Sequence, residues 1–248
     1  MMSTVYHQVK NLFENPNSIE LFWDSNELVW IDWREYDEDI IRYFNEMMED
    51  KLELELIDNG KPYGDDIVLI KGTEKLRIPY EEEMDRDTTI KYLNDFIKPE
   101  YEIRWFLESL GDDTLGFVLL KSDEWKKLEE EFEQATVGYY FATIDLESMM
   151  FDFMMSEVDE LLELRSRNER VDFSLLVEWV KLSSKEMELK VQRENGEIDM
   201  KSYFESKKTD RRCKTGVSKE SSGDSFLTVR QIVKRYVGMD ILRHTDKQ

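Results

Sequence analysis

The sequence predicts an α+β fold: a mostly antiparallel sheet with hairpins and helices alternating in the N-terminal half, followed by a more helical C-terminal segment with one hairpin. Three observations predict it. Short runs rich in β-branched and aromatic residues recur through the first 135 residues, interleaved with stretches whose apolar residues fall three and four apart. Beyond them, longer stripes of helical period take over. The chain has 248 residues, 40% apolar and 12% aromatic, which is ample for a core and too much for a disordered acidic tail.

The elements follow in order. Residues 19–23 and 28–33 read as a hairpin around the turn formers Asp24, Ser25 and Asn26. Residues 37–50 read as a helix, with acids in the first turn and Ile40, Ile41, Phe44, Met47 and Met48 on one face. Leu52, Leu54 and Leu56 alternate with Glu53 and Glu55, a half-buried strand. A loop is marked by Asn59-Gly60 and Tyr63-Gly64. Residues 67–70 then form a central strand, turned by Gly72-Thr73 into 76–78. A helix over 86–97 stops at Pro99. Strands over 101–107 and 114–120 flank the turn at Gly111, and Ser122 caps a helix through Gln134 that buries Trp125, Leu128 and Phe132.

The later segment reads differently. Residues 137–142 form one more strand. Asp145 caps a long helix to about Arg165, whose stripe is Leu146, Met149, Met150, Phe153, Met154, Val158, Leu161 and Leu162. That stripe either packs on the sheet or pairs with a second copy of the chain, with Met149, Met150, Phe153 and Met154 in the seam. Residues 173–182 are helical. Met187, Leu189 and Val191 alternate with polar residues, and Asn195-Gly196 turns them into a hairpin with Ile198 and Met200. The elements group as an acidic α+β domain over 1–136, a helical and hairpin segment over 137–206, a basic flexible linker over 207–225 and a C-terminal helix over 226–248.

Charge and absent motifs narrow the function. The net charge is −22, split between −26 over residues 1–160 and +4 over the remainder. An acidic surface repels nucleic acid and attracts basic protein surfaces. A single cysteine, Cys213, and an N-terminus without an apolar stretch fit a soluble cytoplasmic protein. His7 and His244 stand at opposite ends, which argues against histidine-paired zinc. The glycines form neither a phosphate-binding loop nor a dinucleotide fingerprint, so no cofactor, no metal and no catalytic residue is expected.

Three local patterns remain. Trp33, Glu35, Tyr36, Asp37, Glu38 and Asp39 combine aromatics with carboxylates, the composition of a contact surface for a basic partner, or of a core edge beside an acidic helix start. Glu81, Glu82, Glu83 and Asp85 read as plain solvated acids. Asp172 ahead of Glu188 and Lys190 matches the spacing of some Mg²⁺-dependent nucleases, provided a hairpin joins them. Residues 173–200 with Arg230, Lys234 and Arg235 have the layout of a winged DNA-binding element, which the acidic first segment opposes.

The stretches over 30–44 (WIDWREYDEDIIRYF), 86–97 (RDTTIKYLNDFI) and 112–132 (DDTLGFVLLKSDEWKKLEEEF) resemble small acidic α+β proteins of bacterial immunity type. Phage-encoded inhibitors of bacterial defence are similar in character. The resemblance covers roughly the first half of the chain. It implies a non-enzymatic inhibitor that blocks a basic surface of a toxin or defence protein.

Overall fold

The computed structural model describes residues 2–60, 65–80 and 85–202. The expected loop at Tyr63-Gly64, the acids Glu81 to Glu83, the linker over 207–225 and the helix over 226–248 lie outside the described residues. The α+β class holds. The chain divides into two compact units, 1–153 and 154–248. The boundary expected after residue 136 therefore moves, because residues 141–143 pair into the N-terminal sheet.

In the first unit, α1 (Thr4–Glu14) is capped by Ser3 and leads through a 3-10 turn at Pro16 into α2 (Ile19–Trp23). Then come β1 (Val29–Asp32), α3 (Asp37–Met47), β2 (Glu53–Ile57), β3 (Asp66–Lys71) and β4 (Glu74–Arg77). They are followed by α4 (Arg86–Ile97), β5 (Tyr101–Phe106), β6 (Thr114–Lys121), α5 (Ser122–Phe132), α6 (Gln134–Tyr140) and β7 (Phe141–Thr143). Among the described residues all pairings are antiparallel, in two separate sheets ordered β1-β6-β5-β7 and β2-β3-β4.

The four-stranded sheet has helices on both faces. On one, Phe106, Val118 and Leu120 meet Tyr6, Val9, Leu12 and Phe13 of α1, Phe22 of α2, Trp125 and Leu128 of α5 and Val137 of α6. On the other, Phe44 of α3 contacts Phe117, and buried Asn94 of α4 accepts from Ile103 N at 2.7 Å and donates to Ile144 O at 2.8 Å. Burial on both faces explains the unbroken apolar run of β6. Arg104 is a buried charge on β5. Its guanidinium sits 4.5 Å from the Trp125 ring and pairs with Glu102 and Glu129 at 2.9 and 2.7 Å, so the buried cation has full partners.

Several expected elements differ. Residues 19–23 are helix, not strand: Pro16 opens the turn, and Phe22 packs edge-on to Phe106 and Phe141. The hairpin expected there is thus a helix followed by a strand. The strand expected over 137–142 is also mostly helix: α6 takes 134–140, and only Phe141, Ala142 and Thr143 join the sheet. In β2 the leucines are shallower than a half-buried strand requires, with Leu56 exposed on the outer strand.

The largest change falls on the long helix. Asp145 Oδ1 accepts from Glu147 N at 2.9 Å and Ser148 Oγ at 3.0 Å, which makes a turn. Buried Asp87 of α4 then accepts the N–H groups of Met150 and Phe151 at 3.0 and 3.2 Å. The helix starts only at α7 (Met155–Arg167). Met150 is buried, Phe153 stacks on Trp105 with centroids 6.4 Å apart, and Met154 is exposed. Met149, Met150, Phe153 and Met154 therefore do not form one helical seam.

In the second unit, α7 packs on α8 (Phe173–Glu194), with Val158, Leu161 and Leu164 buried on the first and Leu176, Val177 and Val180 on the second. The expected hairpin at Asn195-Gly196 is the end of α8. Gly196 has φ +75°, Gly196 N donates to Arg193 O at 3.1 Å, and Glu197 N donates to Gln192 O at 2.9 Å. Those two bonds are a Schellman cap, in which glycine supplies the left-handed residue.

Candidate protein-binding surface

The segment joining β1 to α3 carries the aromatic and acidic residues singled out in the sequence. Its backbone is fixed from below. Arg86, at the start of α4, donates from Nε to Asp32 O and from an Nη to Glu35 O, both at 3.1 Å. Asp32 Oδ1 accepts from Arg34 N at 2.8 Å, and the Arg34 guanidinium lies 4.8 Å from the Trp33 ring. Tyr43, two turns into α3, donates to Glu35 Oε2 at 3.0 Å. On this fixed segment Trp33 is 57% and Tyr36 71% exposed. Trp and Tyr are among the residue types most enriched at the anchors of protein interfaces.

Asp37 does not belong to that surface. It is 8% exposed and accepts from Thr89 Oγ1, which also contacts Tyr80 OH at 2.7 Å. Burial raises its carboxyl above the usual range, opposed by the Thr89 bond and the charge of Arg86. Asp37 thus ties α3 to α4, which corrects its expected place among the exposed acids. Glu38 and Asp39 remain half-exposed, Asp39 paired with Arg42 at 2.6 Å.

Strands β1 and β5 run the same way, each antiparallel to β6, so both finish at one end of the sheet. The β5–β6 connection there is knitted by buried Ser109, whose Oγ donates to Phe106 O at 2.6 Å and accepts from Gly116 N and Trp105 Nε1. Its tip holds Asp112 and Asp113. Desolvation and the neighbouring Asp113 raise the Asp112 carboxyl. Some acids elsewhere are paired with bases, as in Lys10–Glu131, Lys71–Glu100, Lys121–Glu49 and Lys127–Asp123. Among the described residues Glu38, Asp112 and Asp113 have no ion pair.

Close by is a cavity of about 340 Å³ lined by Ile19, Glu20, Trp23, Asp24 and Glu108. Sequence reasoning missed it because 19–23 read as a strand. On α2, Glu20 and Trp23 lie three residues apart on one helical face, and Asp24 follows as the C-cap. In a strand, Glu20 and Trp23 do not share a face.

The other sequence signals are not assembled. Asp172 is the N-cap of α8, accepting from Ser174 N at 2.9 Å, while Glu188 lies 16 residues further along the same helix, roughly 24 Å away at the helical rise. The hairpin that a nuclease site requires, and that a DNA-binding wing requires, is helix. Among the described residues, no three His, Cys, Asp or Glu side chains are grouped to hold a metal ion, and no helix is long and apolar enough to cross a membrane. No protein-family model, no curated protein and no solved structure matches the chain.

Proposed function

We propose that the chain is a non-enzymatic protein-binding inhibitor, of immunity or phage anti-defence type, that covers a basic surface of a toxin or defence protein in the cytoplasm. The observation that carries this reading is the exposed pair Trp33 and Tyr36, held on a segment pinned by Arg86, with the half-exposed carboxylates Glu35, Glu38 and Asp39 beside them. Rigid aromatics lose little conformational entropy on binding, and buried aromatic anchors dominate interface energies. The surrounding negative charge accelerates encounter with a basic surface and disfavours acidic competitors. Inhibition then needs only coverage of the partner's site.

The test is capture from the native host with the full chain and with Trp33→Ala/Tyr36→Ala, analysed by mass spectrometry at low and high salt. The expected result is a basic protein retained by the native chain, lost with the double variant and weakened by salt. Retention of the same proteins by both chains would overturn the reading.

A further inference from the structure

The cavity beside Trp23 has an aromatic and aliphatic wall, Trp23 and Ile19, and carboxylates at Glu20, Asp24 and Glu108. Its volume, about 340 Å³, is at the small end of the roughly 300–1,000 Å³ range of ligand clefts and suits one side chain rather than a cofactor. It is a shallow, largely open depression, and its wall is an indole. The indole is braced, with ring centroids 4.8 Å from Trp30 and 5.8 Å from Phe106. Among the described residues Glu20 and Asp24 have no ion pair, so no lysine or arginine described here satisfies them. The cavity borders the end of the sheet where β1 delivers Trp33 and Tyr36, through Glu108 at the exit of β5.

We infer that this cavity receives an arginine side chain from the basic partner, its guanidinium lying against Trp23 between the carboxylates of Glu20 and Asp24. The inference rests on the basic-partner reading and adds the anchor residue. A planar, weakly hydrated guanidinium both stacks on an indole and donates sideways to carboxylates, which a lysine ammonium does poorly. Glu20 on α2 and Asp24 at its C-cap both line the depression with Trp23, so both acceptors border the ring.

The test is a titration of the ¹⁵N-labelled full chain with N-acetylarginine amide, following the Trp23 Nε1–H resonance assigned by Trp23→Phe. The expected result is a saturable shift, at least tenfold weaker binding of the uncharged citrulline analogue, and at least fivefold weaker binding in Glu20→Gln/Asp24→Asn with the spectrum otherwise folded. An unmoved Trp23 resonance, or equal response to citrulline, overturns the proposal. Equal affinity for N-acetyllysine amide overturns the choice of arginine. A tetra-arginine peptide that shifts the Trp33 indole but not Trp23 rejects the cavity and leaves the basic-partner reading standing. Silence at both indoles counts against both.

Discussion

Trp30 occupies the space that the side chain of Gly116 would fill. The two are register partners on β1 and β6, and a Cβ placed on Gly116 would stand 3.0 Å from Cζ3 of the indole. Trp30 in turn braces Trp23, so a glycine in the central strand fixes the wall of the cavity on α2. Glycine in a strand interior marks such a close approach.

Gly116→Ala therefore destabilises the protein by about 1–3 kcal/mol, the usual cost of overpacking, despite the backbone entropy that alanine saves. Urea denaturation measures it. A stability equal to the native chain's would show that the Trp30 ring yields freely.

Asp37 and its neighbours separate by role. Asp37→Ala removes the buried bond that ties α3 to α4, leaving Thr89 Oγ1 the longer bond to Asp85 O at 3.1 Å, and costs about 1–3 kcal/mol of stability. Glu38→Gln and Asp39→Asn lose only about 0.3–1 kcal/mol each at the helix start, while weakening capture of a basic partner. Thermal melts beside the capture experiment test both halves. The division fails if Asp37→Ala melts like the native chain.

Asp87 gives stability a pH dependence of definite sign. Burial raises its pKa from 3.8 to about 6, against the Met150 and Phe151 N–H bonds and Lys91, with Asp152 adding to the rise. The folded state holds this proton more tightly than the unfolded chain. Its stabilisation is complete below about pH 4 and lost as pH rises through about 6, amounting to roughly 3 kcal/mol. In Asp87→Asn that slope disappears. The stability advantage of the native chain over the variant thus shrinks between pH 4 and pH 7. Parallel denaturation profiles for the two chains would contradict the assignment.

Much of the fold was legible because local signals and burial agreed. The helix over 86–97 matches its expected bounds, with Asp85 as N-cap accepting from Thr88 N at 2.6 Å and Pro99 beyond its end. In β6 a continuous apolar run met two covered faces. Trp33, Glu35, Tyr36, Glu38 and Asp39, singled out from composition alone, are exposed or half-exposed. That Asp37 turns inward was not legible, since a carboxylate at a helix start looks the same whether it faces water or Thr89.

The sequence by itself determined the α+β class, the central strands, the acidic N-terminal half and the cluster around Trp33, because these depend on composition and short-range periodicity. Tertiary structure decided the rest. Residues 19–23 have strand-like composition yet fold as a helix, because Phe22 must reach Phe106 and Phe141. Asn195-Gly196 can turn a hairpin or cap a helix with the same left-handed glycine, and α8 arrives there already helical. Residues 145–153 carry a helical stripe, but Asp87 takes the backbone N–H groups of Met150 and Phe151, and Trp105 stacks with Phe153. A periodic pattern says which side chains seek burial; only the partners waiting across the sheet decide what backbone brings them there.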